Sequence, residues 1–569
     1  MIHHDMIVVG GGLSGLRAAV EAKKAGVDVA VLSQVHPARS HSGAAQGGIN
    51  AALGNHPEGV GDTWMKHAFD TIKGGDYLGD QDAVVQMTQD AIQVVHEMDR
   101  WGCPFSRFAD GRIAQRPFGG AGFPRTCYGA DKTGHYLLHT LVEQACRHEV
   151  KLYVEHYVAR LIVADGVCRG VVAYDMIRGG FESFTAEAVL MATGGAGRIY
   201  GNSTNAIINT GCGMAMAYRA GVPLKDMEFI QFHPTGLFTT NILMTEGARG
   251  EGGHLLNGLG ERFMERYAPR SMELAPRDIT ARSIQTEIDE GRGIGGRGYV
   301  HLDLRHLGAE KIMERLPGIR DLAIHFEGVD PIEEPVPVVP SQHYTMGGID
   351  TDVNGATAMP GLFAAGECAC VSVHGANRLG GNSLLETIVF GRRAGAEAAR
   401  YLASLHDRRP DARAALAALQ AVEDDVRALA GRAAGEDAYA IRAEMTTLMK
   451  DHFGLFRDEA TMRVGVDRLM SLRERVDRAG LRWTGNVFNL DMIRTYELAG
   501  MLDVALVVGA GALARRESRG SHYRTDYRAR DDVNWLEHTL AYYRPGAVGP
   551  RLDSRPVTLG AFAPEERTY

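Results

Sequence analysis

The chain has 569 residues, of which 45% are hydrophobic and 23% charged. This composition is typical of globular proteins and excludes disorder and collagen-like repeats. The formal net charge of −9 shows no basic excess, which argues against nucleic-acid binding. Glycine is abundant, with 70 residues against 20 prolines. This excess predicts many places where the backbone turns tightly or closely approaches a ligand.

The seven cysteines are scattered and form no Cys-x-x-Cys pair, so we predict reduced thiols and no iron–sulfur cluster within this chain. If electrons leave through such clusters, another subunit must carry them. The N-terminus lacks the basic and apolar regions of a secretory signal. The longest apolar stretch, residues 504–514, is well short of the about 20 residues of a membrane span. We therefore predict a cytoplasmic chain without a span of its own.

The first 31 residues have the pattern of a strand, a glycine turn, a helix and a second strand. Met6 to Val9 are apolar, Gly10 to Gly15 read Gly-x-Gly-x-x-Gly, and helical spacing continues to Gly26. In this context the motif indicates a dinucleotide-binding unit, because the glycines let the backbone approach a pyrophosphate at a helix N-terminus. The acidic residue expected after the second strand is missing, since the chain reads Leu32-Ser33-Gln34. This disfavours NAD and leaves FAD open.

The following elements are predicted in chain order. Asp80 is expected to cap a helix that runs to about Trp101, and residues 150–185 read as alternating strands. A buried strand follows at 188–191. Residues 236–344 contain many charges, glycine-rich turns and short mixed elements, which indicates an inserted domain. Another strand begins at Leu362. From 397 to 515 the pattern is helical. One predicted helical packing face consists of Ala414, Leu416, Leu419, Val422 and Val426.

From residue 515 to the C-terminus the chain carries many arginines mixed with acidic residues, which we interpret as a solvated mixed-charge face. Among the arginines are Arg515, Arg516, Arg519, Arg524, Arg528 and Arg530.

Several polar, glycine-flanked motifs point to chemistry. They are Arg39-Ser40-His41-Ser42, Gln231-Phe232-His233-Pro234-Thr235-Gly236, Thr245-Glu246-Gly247-Ala248-Arg249-Gly250, Gln342-His343-Tyr344-Thr345-Met346-Gly347-Gly348 and His374-Gly375-Ala376-Asn377-Arg378-Leu379-Gly380-Gly381-Asn382. We predict no His-x-x-x-His pair or histidine–cysteine cluster with metal-ligand spacing and therefore no metal site, and there is no Gly-x-Ser-x-Gly nucleophile motif.

With these motifs in this order, the sequence resembles the flavoprotein subunits of succinate dehydrogenase and fumarate reductase, from Ile7 to the stretch at 517–527. The resemblance implies an α/β fold with a Rossmann-like FAD-binding domain, an inserted α+β capping domain, a helical domain and a small C-terminal domain. Placed on this chain, the FAD-binding domain would comprise residues 1–235 and 345–396. The capping domain would be 236–344, the helical domain 397–515 and the C-terminal domain 516–569.

The resemblance also implies roles for individual residues. Matching FAD contacts are Gly10, Gly11, Gly12, Leu13, Ser14, Gly15, Ser33, Gln34, Arg39, Ser40, His41, Ser42, Gly43, Ala45, Gln46, Gly47, Gly48, Glu367, Ser383 and Leu384, with His41 as the covalent link to the flavin. His233, Thr245, His343 and Arg378 match the residues that hold the substrate carboxylates. Arg277 matches the proton-transferring arginine, with Glu246 and Arg249 as its relay to solvent.

One position departs from the family pattern. Cys212 stands where the family usually has an aspartate that contacts FAD. From the residues alone, Arg277 could equally form a structural salt bridge to Asp278 or Asp226.

The resemblance further implies a small dicarboxylate substrate, an iron–sulfur partner subunit and a membrane anchor that leads to the quinone pool, with this chain peripheral on the cytoplasmic face of the membrane. L-aspartate oxidase, a soluble flavoenzyme with non-covalent FAD, shares several motifs and is the alternative. Arg39-Ser40-His41 and Leu379-Gly380-Gly381-Asn382 favour the dehydrogenase. A second alternative is a non-catalytic dinucleotide-binding subunit. It ranks last, because it does not explain why the chain combines His233, Thr245, His343 and Arg378.

Overall fold

A five-stranded parallel sheet forms the centre of the computed structural model, which describes residues 1–406, 410–432 and 435–567. Its strand order is β18-β11-β2-β3-β7. The strands are β2 (Met6–Val9), β3 (Val29–Ser33), β7 (Lys151–Val154), β11 (Ala188–Met191) and β18 (Leu362–Ala364). Strand β2 pairs in parallel with both β3 and β11. Helices α1 (Leu13–Lys24) and α11 (Asn382–Ser404) pack against each other and bury Leu16 and Leu385 completely. The predicted strand–glycine turn–helix–strand unit is confirmed.

An antiparallel sheet with the order β1-β10-β9-β8 accounts for the strands predicted between residues 150 and 185. Its strands are β1 (Ile2–His3), β8 (His156–Ala164), β9 (Val167–Asp175) and β10 (Phe181–Thr185). Three helices, α2 (Trp64–Gly74), α3 (Gln81–Arg100) and α4 (Thr133–Arg147), surround a small sheet of β4 (Ile49–Asn50), β5 (Gln115–Arg116) and β6 (Thr126–Cys127). Helix α3 begins where predicted, but the capping role of Asp80 is wrong. Its carboxylate instead accepts a hydrogen bond from Thr558 N at 2.7 Å and lies 3.1 Å from His538 Nε2.

A separate hydrophobic cluster lies between Leu237 and Val338, within the region predicted as an inserted domain. It packs around a sheet with the order β13-β16-β15-β14. The elements are β13 (Ile230–Leu237), β14 (His254–Leu256), β15 (Val300–Asp303), β16 (Val336–Thr345), α6 (Glu246–Gly250), α7 (Met264–Tyr267), α8 (Arg277–Asp289), α9 (Ala309–Arg315) and α10 (Pro317–Glu327). Helix α5 (Cys212–Arg219) precedes them. Since β13 and β16 pair with each other, the two histidine motifs are held side by side.

The predicted helical region contains α12 (Ala412–Ala430), α13 (Ala438–His452), α14 (Glu459–Val476) and α15 (Leu490–Ala514), with short strands β20 (Glu436–Asp437) and β21 (Ala479–Gly480). The packing face predicted for α12 is wrong at Leu416, whose side chain is 66% exposed. The other predicted positions do pack on the antiparallel sheet: Val422 is fully buried, and Ala414, Leu419 and Val426 are partly buried against the same cluster. Ala415 and Leu429, which were not predicted, are buried there as well.

Helix α15 is the one helix, among the residues described, that is long and apolar enough to cross a membrane. Its most apolar window has a mean hydropathy of 1.7, and 78% of that window is buried within the protein. Burial of this extent is typical of a core helix in a folded domain, and such helices pass the same test of length and hydropathy.

The C-terminal region completes a sheet with the order β19-β17-β12-β22-β23. Its strands are β12 (Leu224–Lys225), β17 (Gly348–Asp350), β19 (Ala369–Cys370), β22 (Glu537–Tyr542) and β23 (Arg551–Pro556). The prediction of a solvated arginine face is wrong for Arg515, Arg519 and Arg524, whose side chains are fully buried. Arg515 lies 2.8 Å from Glu228 and 3.0 Å from Glu517. A buried cation requires such acidic partners. Because Glu228 lies almost 300 residues away in sequence, a local sequence pattern cannot reveal this ion pair.

Candidate active site

One cavity of about 960 Å³ extends from the glycine turn after β2 to the face of β13 and β16. Almost all the site residues predicted from the sequence line it, including His41, Glu367, His233, His343, Thr245, Glu246, Arg277 and Arg378. Two do not. Gly15 lies in the first turn of α1 behind the wall, and Arg249 is buried beyond Glu246.

The glycine turn places backbone against the cavity. Gly10 has a φ of +117°, and a Cβ there would overlap the carbonyl of Ala192. A Cβ on Gly15 would overlap the carbonyl oxygen of Gly10. Helix α1 therefore starts directly at the cavity, with Gly12 as its N-cap and no side-chain cap, so the positive end of its dipole faces the space.

Buried polar atoms without a protein partner mark where a polar, elongated group fits. In this half of the cavity they are Ser14 Oγ, Ser40 Oγ, Gln46 Oε1 and Thr193 Oγ1. Unpaired buried polar groups are costly unless a ligand satisfies them. Together with the glycine turn they fit FAD, whose pyrophosphate, ribityl and isoalloxazine groups all need polar partners.

His41 is neutral at physiological pH. Burial, and then the charge of Arg198, lower its pKa to about 4. Its Nδ1 lies 3.3 Å from the backbone N–H of Ala206, which donates to it. This assigns the remaining proton to Nε2. Glu367 shows the opposite behaviour, because burial raises its pKa to about 7, and its Oε1 accepts a hydrogen bond from Thr345 N at 3.0 Å.

The other half of the cavity is centred on two arginines that share one acceptor. Arg277 Nη1 and Arg378 Nη2 both donate to Gln231 Oε1, at 3.1 and 3.0 Å. Arg277 Nε also donates to Glu246 Oε2 at 2.7 Å, and Arg378 Nη1 donates to Ser383 Oγ at 2.9 Å. The alternative ion pairs of Arg277 with Asp278 or Asp226 are not formed. The Asp278 carboxylate accepts from Arg282 Nη2 at 3.1 Å, and that of Asp226 lies 2.7 Å from His538 Nδ1.

Cations exceed anions in this half of the site. Arg277, Arg378 and Arg249 are buried, and Glu246 is the acidic side chain among them. Burial and the neighbouring Arg277 lower the pKa of Arg378 to about 9. Since buried unpaired charge is costly, an anionic ligand would relieve this excess.

Neutral donors surround the arginines. Burial, and then the charge of Arg277, hold the pKa values of His233 and His343 well below the usual range, so both rings are uncharged. Their centroids are 5.0 Å apart. His233 Nδ1 accepts from Thr235 N at 3.2 Å, which leaves the Nε2 proton pointing into the buried space without a protein partner. Thr245 Oγ1 accepts from Gly247 N at 3.2 Å, so its proton remains available to a ligand.

Glu246 connects Arg277 to the protein interior. Its Oε1 accepts from Gly119 N at 2.6 Å. Burial opposes its ionisation, but the charges of Arg277 and Arg249 outweigh burial and lower its pKa. Arg249 donates through Nη1 to Glu273 O, while its Nε and Nη2 are buried without a partner.

Sequence reasoning gave no role to several residues of this site. Gln231 and Asn377 lie inside quoted motifs, yet only the structure shows that Gln231 joins both arginines and donates to Asn377 Oδ1 at 3.0 Å. Arg116 also reaches the cavity wall, where it donates to Gly47 O and lies over the Tyr128 ring. For Gln231 a signal existed, since it is a polar residue directly between the apolar Ile230 and Phe232.

Cys212 begins α5 at the cavity and donates through Sγ to Glu497 O at 3.4 Å. Burial, followed by the charge of Glu497, raises its pKa to about 12, so it presents a neutral thiol. Separately, the prediction that the chain has no His-x-x-x-His pair is wrong, because His135 and His139 form an exposed pair of this spacing on α4. In the described chain, the group of three or more possible metal ligands is instead His3, Asp5 and Glu187.

Known proteins match this chain over almost its whole length. The FAD binding domain family matches residues 5–384, and the fumarate reductase flavoprotein C-terminal family matches residues 442–569. The succinate dehydrogenase flavoprotein subunit of Rickettsia bellii is 44% identical and covers 99% of this chain and 97% of its own length. The fumarate reductase flavoprotein subunit of Mycobacterium tuberculosis is 45% identical, covering 100% of this chain and 99% of its own.

Among solved structures, the FrdA chain of Escherichia coli quinol fumarate reductase superposes with a TM-score of 0.95 at 42% identity, covering 100% of this chain and 99% of that one. The predicted fold class is therefore confirmed. The chain belongs to the family of succinate dehydrogenase and fumarate reductase flavoprotein subunits, which are FAD-dependent oxidoreductases.

Proposed function

We propose that this chain interconverts succinate and fumarate at the cavity described above and passes the electrons to an iron–sulfur subunit. The observation that carries the proposal is the pair of buried arginines that share Gln231, in a site with more cations than anions. A dicarboxylate supplies the missing negative charge at both of its ends. Sequence relatives named for both reactions support the same substrate pair.

Arg378, His233, His343 and Thr245 are the proposed carboxylate clamp. Ser383 and Gln231 fix the plane of the Arg378 guanidinium, and the Tyr344 ring lies 4.4 Å beneath it. A guanidinium held in this way can bind a carboxylate through two parallel hydrogen bonds. The uncharged histidines add directional N–H donors without further cation repulsion.

Arg277 is the proposed proton donor to the substrate carbon. Its Nε and Nη1 are committed to Glu246 and Gln231, which leaves Nη2 for the substrate. An arginine is normally always protonated, so it acts more readily as an acid toward fumarate than as a base toward succinate. Glu246 and Arg249 would then return the proton from the solvent side.

Bound FAD supplies the hydride acceptor or donor for the adjacent carbon. The residues that would hold it are those of the glycine turn, the loop from Arg39 to Gly48, Glu367, Ser383 and Leu384. His41 is the proposed covalent attachment point. Its low pKa keeps the imidazole neutral, as a nucleophile for bond formation must be.

The remaining proposals concern the surroundings of the enzyme. With no clustered cysteines in this sequence, electrons must leave through clusters in another subunit. We propose that this iron–sulfur subunit links the chain to a membrane anchor and the quinone pool, so that the chain lies peripherally on the cytoplasmic face. Resemblance to solved quinol–fumarate reductases supports this arrangement.

The FAD-loaded chain tests the reaction directly. We expect fumarate reduction with a reduced viologen dye and succinate oxidation with an oxidising dye. An enzyme of the aspartate oxidase type would instead consume L-aspartate and oxygen and release its flavin on denaturation. Oxidation of aspartate with no succinate turnover would overturn the proposal.

Substitution of His41 by alanine tests the covalent link. Wild-type protein should retain flavin fluorescence on the denatured chain, and the variant should release it. An 8α bond is expected to raise the flavin potential, so the variant should nearly lose succinate oxidation and keep slower fumarate reduction. Equal losses in both directions would contradict the potential argument, and flavin released from the wild type would contradict the link itself.

A further inference from the structure

The chain continues beyond β23 as an ordered segment that crosses the start of α3. Val557 is buried in a cluster with Leu78 and Tyr344, next to the active site. Thr558 then donates to Asp80 Oδ1 at 2.7 Å, and its carbonyl accepts from Gln81 N at 2.9 Å.

Gln81 fixes the next part of the segment. Its side chain is almost fully buried, and Oε1 accepts from Gly560 N at 3.0 Å and from Phe562 N at 3.1 Å. Its Nε2 donates to Phe562 O at 2.6 Å. The Phe562 ring packs at 5.5 Å from Phe69 on α2. One buried amide with three hydrogen bonds therefore holds the path of the segment.

Arg567 ends the described segment on two buried carboxylates. Its guanidinium lies 3.2 Å from Asp278 Oδ1 and 3.3 Å from Asp76 Oδ2. The two aspartate side chains are 1% and 8% exposed, and that of Arg567 is 11% exposed. Asp278 directly follows Arg277 in the first turn of α8.

Asp278 is linked to the clamp by direct hydrogen bonds. Asn377 Nδ2 donates to Asp278 Oδ1 at 3.0 Å, and Asn377 Oδ1 accepts from Gln231 Nε2 at 3.0 Å. Gln231 Oε1 in turn holds Arg277. A continuous buried network thus runs from Arg567 to the proposed proton donor.

Asp76 provides a fixed anchor for the other side of Arg567. Asp76 and Tyr77 both adopt left-handed backbone conformations, with φ of +54° and +60°. Such conformations are unfavourable for residues other than glycine and persist where the surroundings fix them. Here the carboxylate of Asp76 accepts from Gly520 N and from Arg530 Nη1, both at 2.8 Å.

We propose that residues 557–567 form a strap that positions α8 over the active site, and that Arg567 is a positioning residue for Arg277, acting through Asp278. The inference rests on the proposed function, because it takes Arg277 as the proton donor. Without Arg567, Asp278 keeps its bonds to Arg282 at 3.1 Å and to Asn377, so the protein should still fold. The variant would lose the ion pairs through which Arg567 joins Asp278, in the first turn of α8, to Asp76.

Arg567→Met in the FAD-loaded full chain tests the strap. We expect kcat for fumarate reduction to fall about tenfold. The Kd for succinate, measured from the flavin absorbance change, should stay within about twofold, because Arg378, His233 and Thr245 lie outside α8. Arg567→Lys should recover part of kcat, since an ammonium can still reach one carboxylate. Arg551→Met, which removes an exposed ion pair to Asp553, is the matched control and should leave kcat unchanged.

Asp278→Asn shows whether Arg567 acts through this carboxylate. The double variant should lose no more kcat than the stronger single variant. Should Arg567→Met fail to fold, digestion of the folded wild type with carboxypeptidases removes the same residue and should lower kcat with FAD retained.

Unchanged kcat, or equal losses of kcat, succinate affinity and bound FAD, would overturn the strap. The proposed function is tested separately by wild-type turnover, so its failure is distinguishable from that of the strap.

Discussion

The two halves of the cavity are built in different ways. In the FAD half, two short stretches, residues 10–14 and 39–48, supply a continuous part of the lining, which residues 192–194, 203–206, 208–213 and 365–367 complete. The dicarboxylate half consists of side chains from β13, β16, α6, α8 and the turn before α11, brought together from almost 150 residues of sequence. A backbone cradle is encoded locally, whereas a clamp of side chains exists only once the fold has formed.

The two halves also differ in charge. The FAD half offers a helix dipole, neutral hydroxyl groups and a neutral His41. The dicarboxylate half is lined by the buried side chains of Arg277, Arg378 and Glu246, with Arg249 buried behind Glu246. We therefore expect substitutions in the first half to affect cofactor retention, and those in the second half to affect turnover or substrate affinity with the cofactor still in place.

The largest expected effect is in the dicarboxylate half. Arg277→Gln should lower turnover in both directions by about 10³-fold or more, because the proton donor is lost. Dicarboxylate binding should survive, since Arg378 and the histidines remain. Steady-state rates and flavin difference spectra measure both. Glu246→Gln should slow turnover less, because water can partly reprotonate Arg277.

Arg297→Gln, an exposed change in the same inserted region, serves as the control. A fully active Arg277→Gln enzyme would mean that Arg277 only neutralises Glu246.

In the FAD half, we expect a substitution at Gly15, which lies behind the cavity wall, to impair FAD binding. Gly15→Ala places a Cβ against the carbonyl oxygen of Gly10 and should displace the turn, so that the purified protein contains little FAD. The ratio of flavin to protein absorbance measures this. Gly298→Ala, at a glycine whose added Cβ meets nothing within 4 Å, is the control. Stoichiometric FAD in Gly15→Ala would show that the turn is not the pyrophosphate cradle.

This contrast explains what the sequence could predict. The unit from Met6 to Ser33 has periodicity, glycine spacing and length in one window, and it is observed as predicted. The motifs containing His233 and Arg378 could be found because their resemblance to a family is specific. Their distances to one another could not, since they depend on the pairing of β13 with β16 and on the position of α8.

The predictions that were wrong share one cause. The burial of Arg515 depends on Glu228, the carboxylate of Asp80 is held by Thr558 and His538, and Leu416 is exposed because α12 packs on the sheet through other residues, among them Ala415 and Val422. In each case local residue type suggested one environment, and a partner distant in sequence or the geometry of packing determined another. Long-range polar pairing leaves no periodic signal in a single sequence.

Arg378→Ala should weaken succinate binding by about 2–5 kcal/mol, because one substrate carboxylate is left without its charged partner. FAD should remain bound, since the glycine turn is untouched. Titration of the flavin absorbance with succinate gives the Kd. Arg400→Ala, an exposed arginine on the same helix that follows the clamp, should bind succinate normally. Near-native succinate affinity in Arg378→Ala would show that Arg378 does not hold a substrate carboxylate.

The smallest expected effect lies outside both halves, where β22 meets the start of α3. His538 is buried between Asp226, at 2.7 Å, and Asp80, at 3.1 Å. Burial disfavours its charge, but the two carboxylates outweigh burial and raise its pKa to about 9. In the unfolded chain a histidine has a pKa of about 6.5. The stabilisation is therefore complete below pH 6.5 and is lost as the pH rises through 9.

The melting temperature of the wild type should consequently fall by a few degrees between pH 6.5 and pH 9, and His538→Gln should show a smaller fall over the same range. His41, His233 and His343 are already neutral at pH 6.5 and do not titrate in this window. Glu367 and Arg378, with pKa values of about 7 and about 9, are present in both proteins, so the difference between wild type and His538→Gln isolates the contribution of His538. The pH dependence of stability should therefore change in His538→Gln without a parallel change in FAD content or succinate affinity. Equal pH slopes in the two proteins would show that the His538 cluster does not control stability in this range.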